Sequence, residues 1–195
     1  MTLRIANTEE DKWQSSNTYE LIDAISTRNQ QLEGVFIHQV RMIKQIARHA
    51  GVDIPGIHIE SYAFKAILTK VDHPVAVAAA LRKGAEMLAG DYFDPTGEDL
   101  ISSRLSPTEK VTYQLAFCRW AEKAEQALTL AAGDDEGAAI AIWAELFGDP
   151  FPQPDNLEAS FLKSLSFGSG LNKVGVSSDI NAATKTRAWC PPTCR

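Results

Sequence analysis

Asn29 to Leu68 reads NQQLEGVFIHQVRMIKQIARHAGVDIPGIHIESYAFKAIL, and this stretch decides the fold class. Phe36, Val40, Ile43 and Ala47 recur at spacings of four, three and four, the period of one apolar helix face. The spacing predicts a helix from about Gln30 to Ala50. Gly51 fits its C′ position and Pro55-Gly56 marks a turn. Gly34 is an alternative break that would split this helix from the one before. A further helix is expected from about Ile59 to Lys70, opened by Ser61 and Tyr62. Its apolar face would be Phe64, Ile67, Leu68 and Val71.

The same period continues outward. Thr18 to Ile25 reads as a helix with Leu21, Ile22 and Ile25 on one face, capped by Asn17 or Thr18. Asp72 or His73 caps another, with Pro74 in its first turn and Val77, Leu81 and Leu88 as its stripe. Ser106-Pro107-Thr108-Glu109 is a capping-box signature. It predicts a long helix carrying Val111, Leu115, Phe117, Cys118, Ala121, Ala124 and Leu128 inward, ended by Gly133. Asp134 or Asp135 starts the next, with Ile140, Trp143, Ala144 and Phe147 on one face, and Gly148 with Pro150 stops it. Pro154 to Leu165 adds one short helical turn, and Leu3-Arg4-Ile5 is at most the stub of a strand. From Ser166 the composition shifts to Gly, Ser, Asn and Thr, which predicts a flexible tail over 166–195. The expected architecture is an all-α helical bundle over 1–165 with an irregular C-terminal tail.

A hydrophobic content of 45% in 195 residues suits one domain with a core. The net charge of −6 argues against strong nucleic-acid binding, which needs a large basic face. No apolar run reads as a signal peptide or a membrane span, so a cytoplasmic protein is expected. Cys118 reads as a small buried hydrophobe. Cys190 and Cys194 form a CPPTC pair with no further ligand nearby, short of the four a structural zinc takes.

There is no Walker-type loop, no G-x-S-x-G, no H-E-x-x-H and no C-x-x-C. His38, His49, His58 and His73 lack ligand spacing and read as surface or capping residues. Asp134-Asp135 reads as a cap. One constellation stands out. Arg41, Lys44 and Arg48 form a basic row turned by one residue from the Val40, Ile43, Ala47 stripe, at the edge of the buried face. A Ser hydroxyl at a helix start and cationic side chains beside it suit an anionic oxygen such as a phosphate.

Taken in order, several segments resemble the C-terminal helical domain of the cGAS/DncV-like (CD-NTase, SMODS) nucleotidyltransferases. These are bacterial cyclic-oligonucleotide synthases related to the 2′-5′-oligoadenylate synthetases. The segments are KWQSSNTYELIDAISTRN (Lys12 to Asn29), VRMIKQIARHAG (Val40 to Gly51), IESYAFKAIL (Ile59 to Leu68), YFDPTGEDL (Tyr92 to Leu100) and AIWAELFGDPFP (Ala141 to Pro152). The resemblance covers about Ala6 to Pro154. It implies a helical lobe that closes a nucleotide cleft. Lys44 and Ser61 would contact the phosphates of ATP, GTP or another NTP. Tyr62 would lie near the base, and Arg41 would serve the cleft or an ion pair.

The same resemblance implies an N-terminal nucleotidyltransferase lobe carrying a Gly-Ser motif and three carboxylates for Mg²⁺. No Gly-Ser followed by Asp-x-Asp precedes Asn29. The catalytic residues and the Mg²⁺ site are therefore expected outside this chain, and the chain alone is expected to be inactive. The implied product of the whole enzyme is a cyclic di- or trinucleotide messenger in antiphage defence. A different class of reading is a free-standing all-α interaction or regulatory module.

Overall fold

The computed structural model describes residues 3–7, 12–16, 18–149 and 151, with side chains from residue 18 onward. A two-stranded antiparallel hairpin, β1 (Leu3–Asn7) and β2 (Lys12–Ser16), pairs Leu3 with Ser16 and Asn7 with Lys12. Six helices follow: α1 (Thr18–Gln31), α2 (Val35–His49), α3 (Gly56–Ala66), α4 (His73–Leu88), α5 (Pro107–Ala132) and α6 (Glu136–Phe147). A single 3₁₀ turn, Ile101–Arg104, precedes α5. The body is all-α. β1 extends the expected stub, and β2 is a strand that the sequence pattern did not announce. The 166–195 tail, its Cys190 and Cys194, and the short helix expected over 154–165 lie outside the described residues.

Local chemistry accounts for the helix ends. Gly34 takes φ 85°, left-handed, so it splits α1 from α2. Gly34 has no side chain to cap α2. Asn29 does so instead, its Oδ1 accepting from the Ile37 N–H at 3.1 Å. At the other end Gly51 N–H donates to Arg48 O (3.1 Å) and Val52 N–H to Ala47 O (2.9 Å), the Schellman pattern. The capping box forms as read. Glu109 N–H donates to Ser106 Oγ at 3.2 Å, and Ser106 N–H donates to Glu109 Oε2 at 2.8 Å. Asp135 caps α6 through the Ala138 N–H at 3.1 Å.

The core lies where α4 meets α3 and α5, with α6 against the far side of α5 and α2 touching α3, α4 and α6. Phe36, Val40, Ile43 and Ala47 are all buried, as are Val77, Leu81 and Leu88. Tyr62 is edge-on to both Phe117 (5.3 Å) and Tyr92 (5.4 Å), and Phe117 tilts against Trp120 at 5.0 Å. Gly84 lets α4 approach them. A Cβ there would fall 2.5 Å from the Phe117 ring and 2.8 Å from that of Tyr62.

Three expectations are corrected. Val111 and Leu115 are 56% and 54% exposed; α5 buries the expected Phe117, Ala121 and Ala124, joined by Tyr113, Trp120 and Ala127. The buried face is turned about the helix axis because α5 meets α4 through its aromatic side chains, which bury more apolar area than Val and Leu do. α3 begins at Gly56 and ends at Ala66, so Leu68 lies beyond it and is exposed. α1 runs to Gln31 yet buries no residue: Tyr19 and Ile22 are 67% and 56% exposed.

Candidate functional site

Lys44 projects from the middle of α2 toward the start of α3. The Schellman turn and the Ile54-Pro55 segment reverse the chain between the two helices. Lys44 Nζ lies 2.6 Å from Glu60 Oε1, and a Cβ on Gly56 would sit 2.9 Å from that nitrogen. The ammonium therefore rests against the first turn of α3. Pro55 is the N-cap, and no side chain caps this helix. The Gly56 and Ile57 N–H groups lie in this turn beside the cation, while the His58 N–H donates to Pro55 O at 3.0 Å, and Glu60 is the only counter-charge paired to Lys44 among the described residues.

The basic row keeps its expected place. Arg41 and Arg48 are exposed beside the buried Val40, Ile43 and Ala47. Arg48 Nη1 reaches Gln45 Oε1 at 3.4 Å, a weak contact. Among the described residues Arg41 has no ion-pair partner.

Ser61 and Tyr62 are placed differently from expectation. Because α3 starts at Gly56, Ser61 is an interior residue of the helix. It is fully buried, and its Oγ donates to the Ile57 carbonyl at 2.9 Å. Tyr62 is also fully buried, between Phe117 and Tyr92. The hydroxyl that would open a helix is thus spent within it, and the ring that would face a base is part of the core. The shift follows from Pro55, whose fixed φ begins the helix one turn earlier than the Ser-Tyr pair suggested.

Behind the site lies a buried polar chain. Tyr62 and Tyr92 hydroxyls meet at 2.6 Å, and Tyr92 Oη lies 2.8 Å from His58 Nδ1. His58 is therefore not a surface residue. Burial, and next the Arg104 charge, push its pKa down to about 4, against a smaller opposing pull from Glu109. Burial pushes Tyr92 up to about 12 and Tyr62 further up. At neutral pH all three are uncharged, so the chain is a structural brace with no group poised to exchange a proton. His58 Nε2 has no partner among the described residues.

The Arg28-Asn29 pair was read only as part of a resemblance. It proves to tie three helices together. Arg28 Nη1 donates to the carbonyls of Phe64 (2.9 Å) and Ile67 (2.8 Å) at the end of α3, and its guanidinium lies 4.1 Å over the Phe64 ring. Asn29 caps α2. An Arg beside an Asn, just before a Gly break, was the available signal.

The Asp-Pro-x-Gly connector is self-contained. Asp94 is buried, and its Oδ1 accepts from the Gly97, Glu98 and Asp99 N–H groups and the Thr96 hydroxyl. Among the described residues no three His, Cys, Asp or Glu side chains come together to hold a metal ion. Nor is any helix long and apolar enough to cross a membrane. No protein-family model matches the chain, and no curated protein resembles it closely enough to count as a match.

Proposed function

We propose that this chain is the helical lobe of a nucleotidyltransferase like those it resembles. In the whole enzyme it would hold the triphosphate of an incoming NTP while a cyclic di- or trinucleotide messenger is built for antiphage defence in the cytoplasm. The observation that carries the reading is the place of Lys44: an ammonium laid on the uncapped first turn of α3, on a ridge shared with Arg41. The Lys44–Glu60 pair is half-exposed, so it is worth about 1 kcal/mol or less. A phosphate oxygen, more highly charged and able to accept from the α3 N–H groups as well, displaces Glu60 at small cost.

The described residues offer no donor set for Mg²⁺, so no metal-dependent step is assigned to them. What this chain does is orient and neutralise. Lys44 takes the phosphate charge and Arg41 lines the approach. Ser61 and Tyr62 stay out of contact and set the position of α3 from inside.

The exposed apolar residues of α1 fit this reading as the seat of the N-terminal lobe. They equally favour a second reading, a helical interaction module whose partner covers α1. The two differ at Lys44. Tripolyphosphate, which has no base or sugar, titrated into the ¹⁵N-labelled chain is expected to shift the Gly56 and Ile57 amides. Lys44→Met is expected to abolish those shifts. If wild type shows no shift there, the nucleotidyltransferase reading fails and the interaction module stands. Turnover of ATP or GTP by the 195-residue chain alone would also overturn the assignment.

A further inference from the structure

We propose that the groove between α3, α4 and the 91–99 loop binds a small aromatic anion, its ring against Phe93 and its charge on Lys65. The groove is open to solvent, measures about 470 Å³ and is lined by Lys65, Lys83, Met87, Tyr92, Phe93 and Gly97. This site does not depend on the role given to Lys44.

Phe93 is 45% exposed although Tyr92 and Asp94 on either side are buried. Both neighbours are anchored. The Tyr92 hydroxyl is held by Tyr62 and His58, and its N–H donates to Ser102 Oγ at 3.1 Å. Asp94 gathers three backbone N–H groups and the Thr96 hydroxyl. Phe93 cannot turn into the core without breaking these bonds, so the loop holds its backbone with the ring toward solvent. A ring preorganised in this way loses little entropy when a flat ligand stacks on it.

Lys65 and Lys83 flank that ring on α3 and α4. Lys83 is paired with Glu86. Among the described residues Lys65 has no ion-pair partner, in a chain whose net charge is −6. One uncompensated ammonium beside an apolar floor selects a ligand carrying an anionic group on a flat apolar body. Beyond the two ammonium groups the lining side chains are apolar, save for the Tyr92 hydroxyl, which is engaged in the interior. Nothing there reads the edge of a ring. Shape and charge are therefore the basis of selection, and either a carboxylate or a phosphate supplies the charge.

The test is an amide NMR titration of the full chain with indole-3-propionate, AMP, indole and inorganic phosphate. Saturable shifts of the 92–99 amides are expected with at least one ring-bearing anion, and whichever binds identifies the carboxylate or the phosphate as the natural charge. Indole alone and phosphate alone are expected to bind about tenfold more weakly or worse. Lys65→Ala and Phe93→Leu should each weaken binding about tenfold, and Lys44→Met should leave it unchanged. The proposal is overturned if neither ring-bearing anion moves the loop. It is equally overturned if indole or phosphate alone does as well, or if both groove variants bind like wild type.

Discussion

The imidazole of His49 lies where a side chain on Gly148 would begin: a Cβ there would fall 2.2 Å from His49 Nδ1. Gly148 also takes φ 73° and ψ −157°, backbone that only glycine uses readily. The backbone thus disfavours a side chain at the end of α6, and the exposed His49 ring would have to swing aside to admit one. Gly148→Ala should cost about 1–3 kcal/mol, mostly backbone strain, with a smaller part from moving the His49 ring. The pair His49→Ala, Gly148→Ala should recover part of the loss and not all of it. Urea denaturation of the two single variants and the double closes the cycle. Full recovery would mean that the backbone strain is negligible.

Gly84 sets packing against propensity. Alanine in the middle of α4 gains about 1 kcal/mol of helix propensity over glycine. Its Cβ would meet the Phe117 ring at 2.5 Å and that of Tyr62 at 2.8 Å, and overpacking of this kind costs about 1–3 kcal/mol. Gly84→Ala is therefore expected to lower the melting temperature. A rise would show that the α4–α5 contact is looser than described.

His58 makes stability depend on pH. It is held neutral in the fold, with its pKa pushed from 6.5 to about 4, whereas the unfolded chain protonates freely near 6.5. Its contribution is fully present above pH 6.5 and is lost as pH falls toward 4, by at most about 3 kcal/mol. His58→Gln should flatten the stability profile between those two pH values. An unchanged slope in chemical denaturation across that window would remove His58 as the cause.

Glu60 competes with any anion at Lys44. Glu60→Gln leaves the ammonium in place and removes the competing charge. It is expected to tighten tripolyphosphate binding several-fold, read from the Gly56 and Ile57 amide shifts. Weaker binding in this variant would mean that Glu60 positions Lys44 for the ligand and does not block it.

The apolar face of α1 carries a last expectation. With Tyr19 and Ile22 so open, the chain should bind a hydrophobic dye while fully folded. Tyr19→Ser with Ile22→Ser should lower that signal without lowering stability, since α1 buries neither residue.

Much of the candidate site could be read in advance, but unevenly. The ridge of Arg41, Lys44 and Arg48 followed from the stripe next to it, because both obey one helical period. The fate of Ser61 could not be read. A serine near a helix start and a serine one turn further in look alike in sequence, and only the start at Pro55 separates them. Nor did anything in the sequence mark Glu60 as the partner of Lys44, sixteen residues away. His58 lacks ligand spacing and reads as a surface or capping residue. Its burial depends on Tyr92, thirty-four positions on.

By itself the sequence determined that the body is helical and where several of its helices start or stop, though not the bounds of α3 or the length of α1. Caps, breaks and stripes act within about four residues, a range over which the chain carries its own instructions: Gly34, the Gly51 turn, the Ser106–Glu109 box, Asp135 and Gly148. Only the tertiary structure decided which side of α1 and of α5 meets water. That choice depends on whole faces competing for burial, so the aromatic face of α5 displaced Val111 and Leu115, and α1 packs Ile25 against the core while Tyr19 and Ile22 stay outside. It also decided that Lys44 is free to exchange Glu60 for another anion while Ser61 is not, because one lies on the rim and the other in the core.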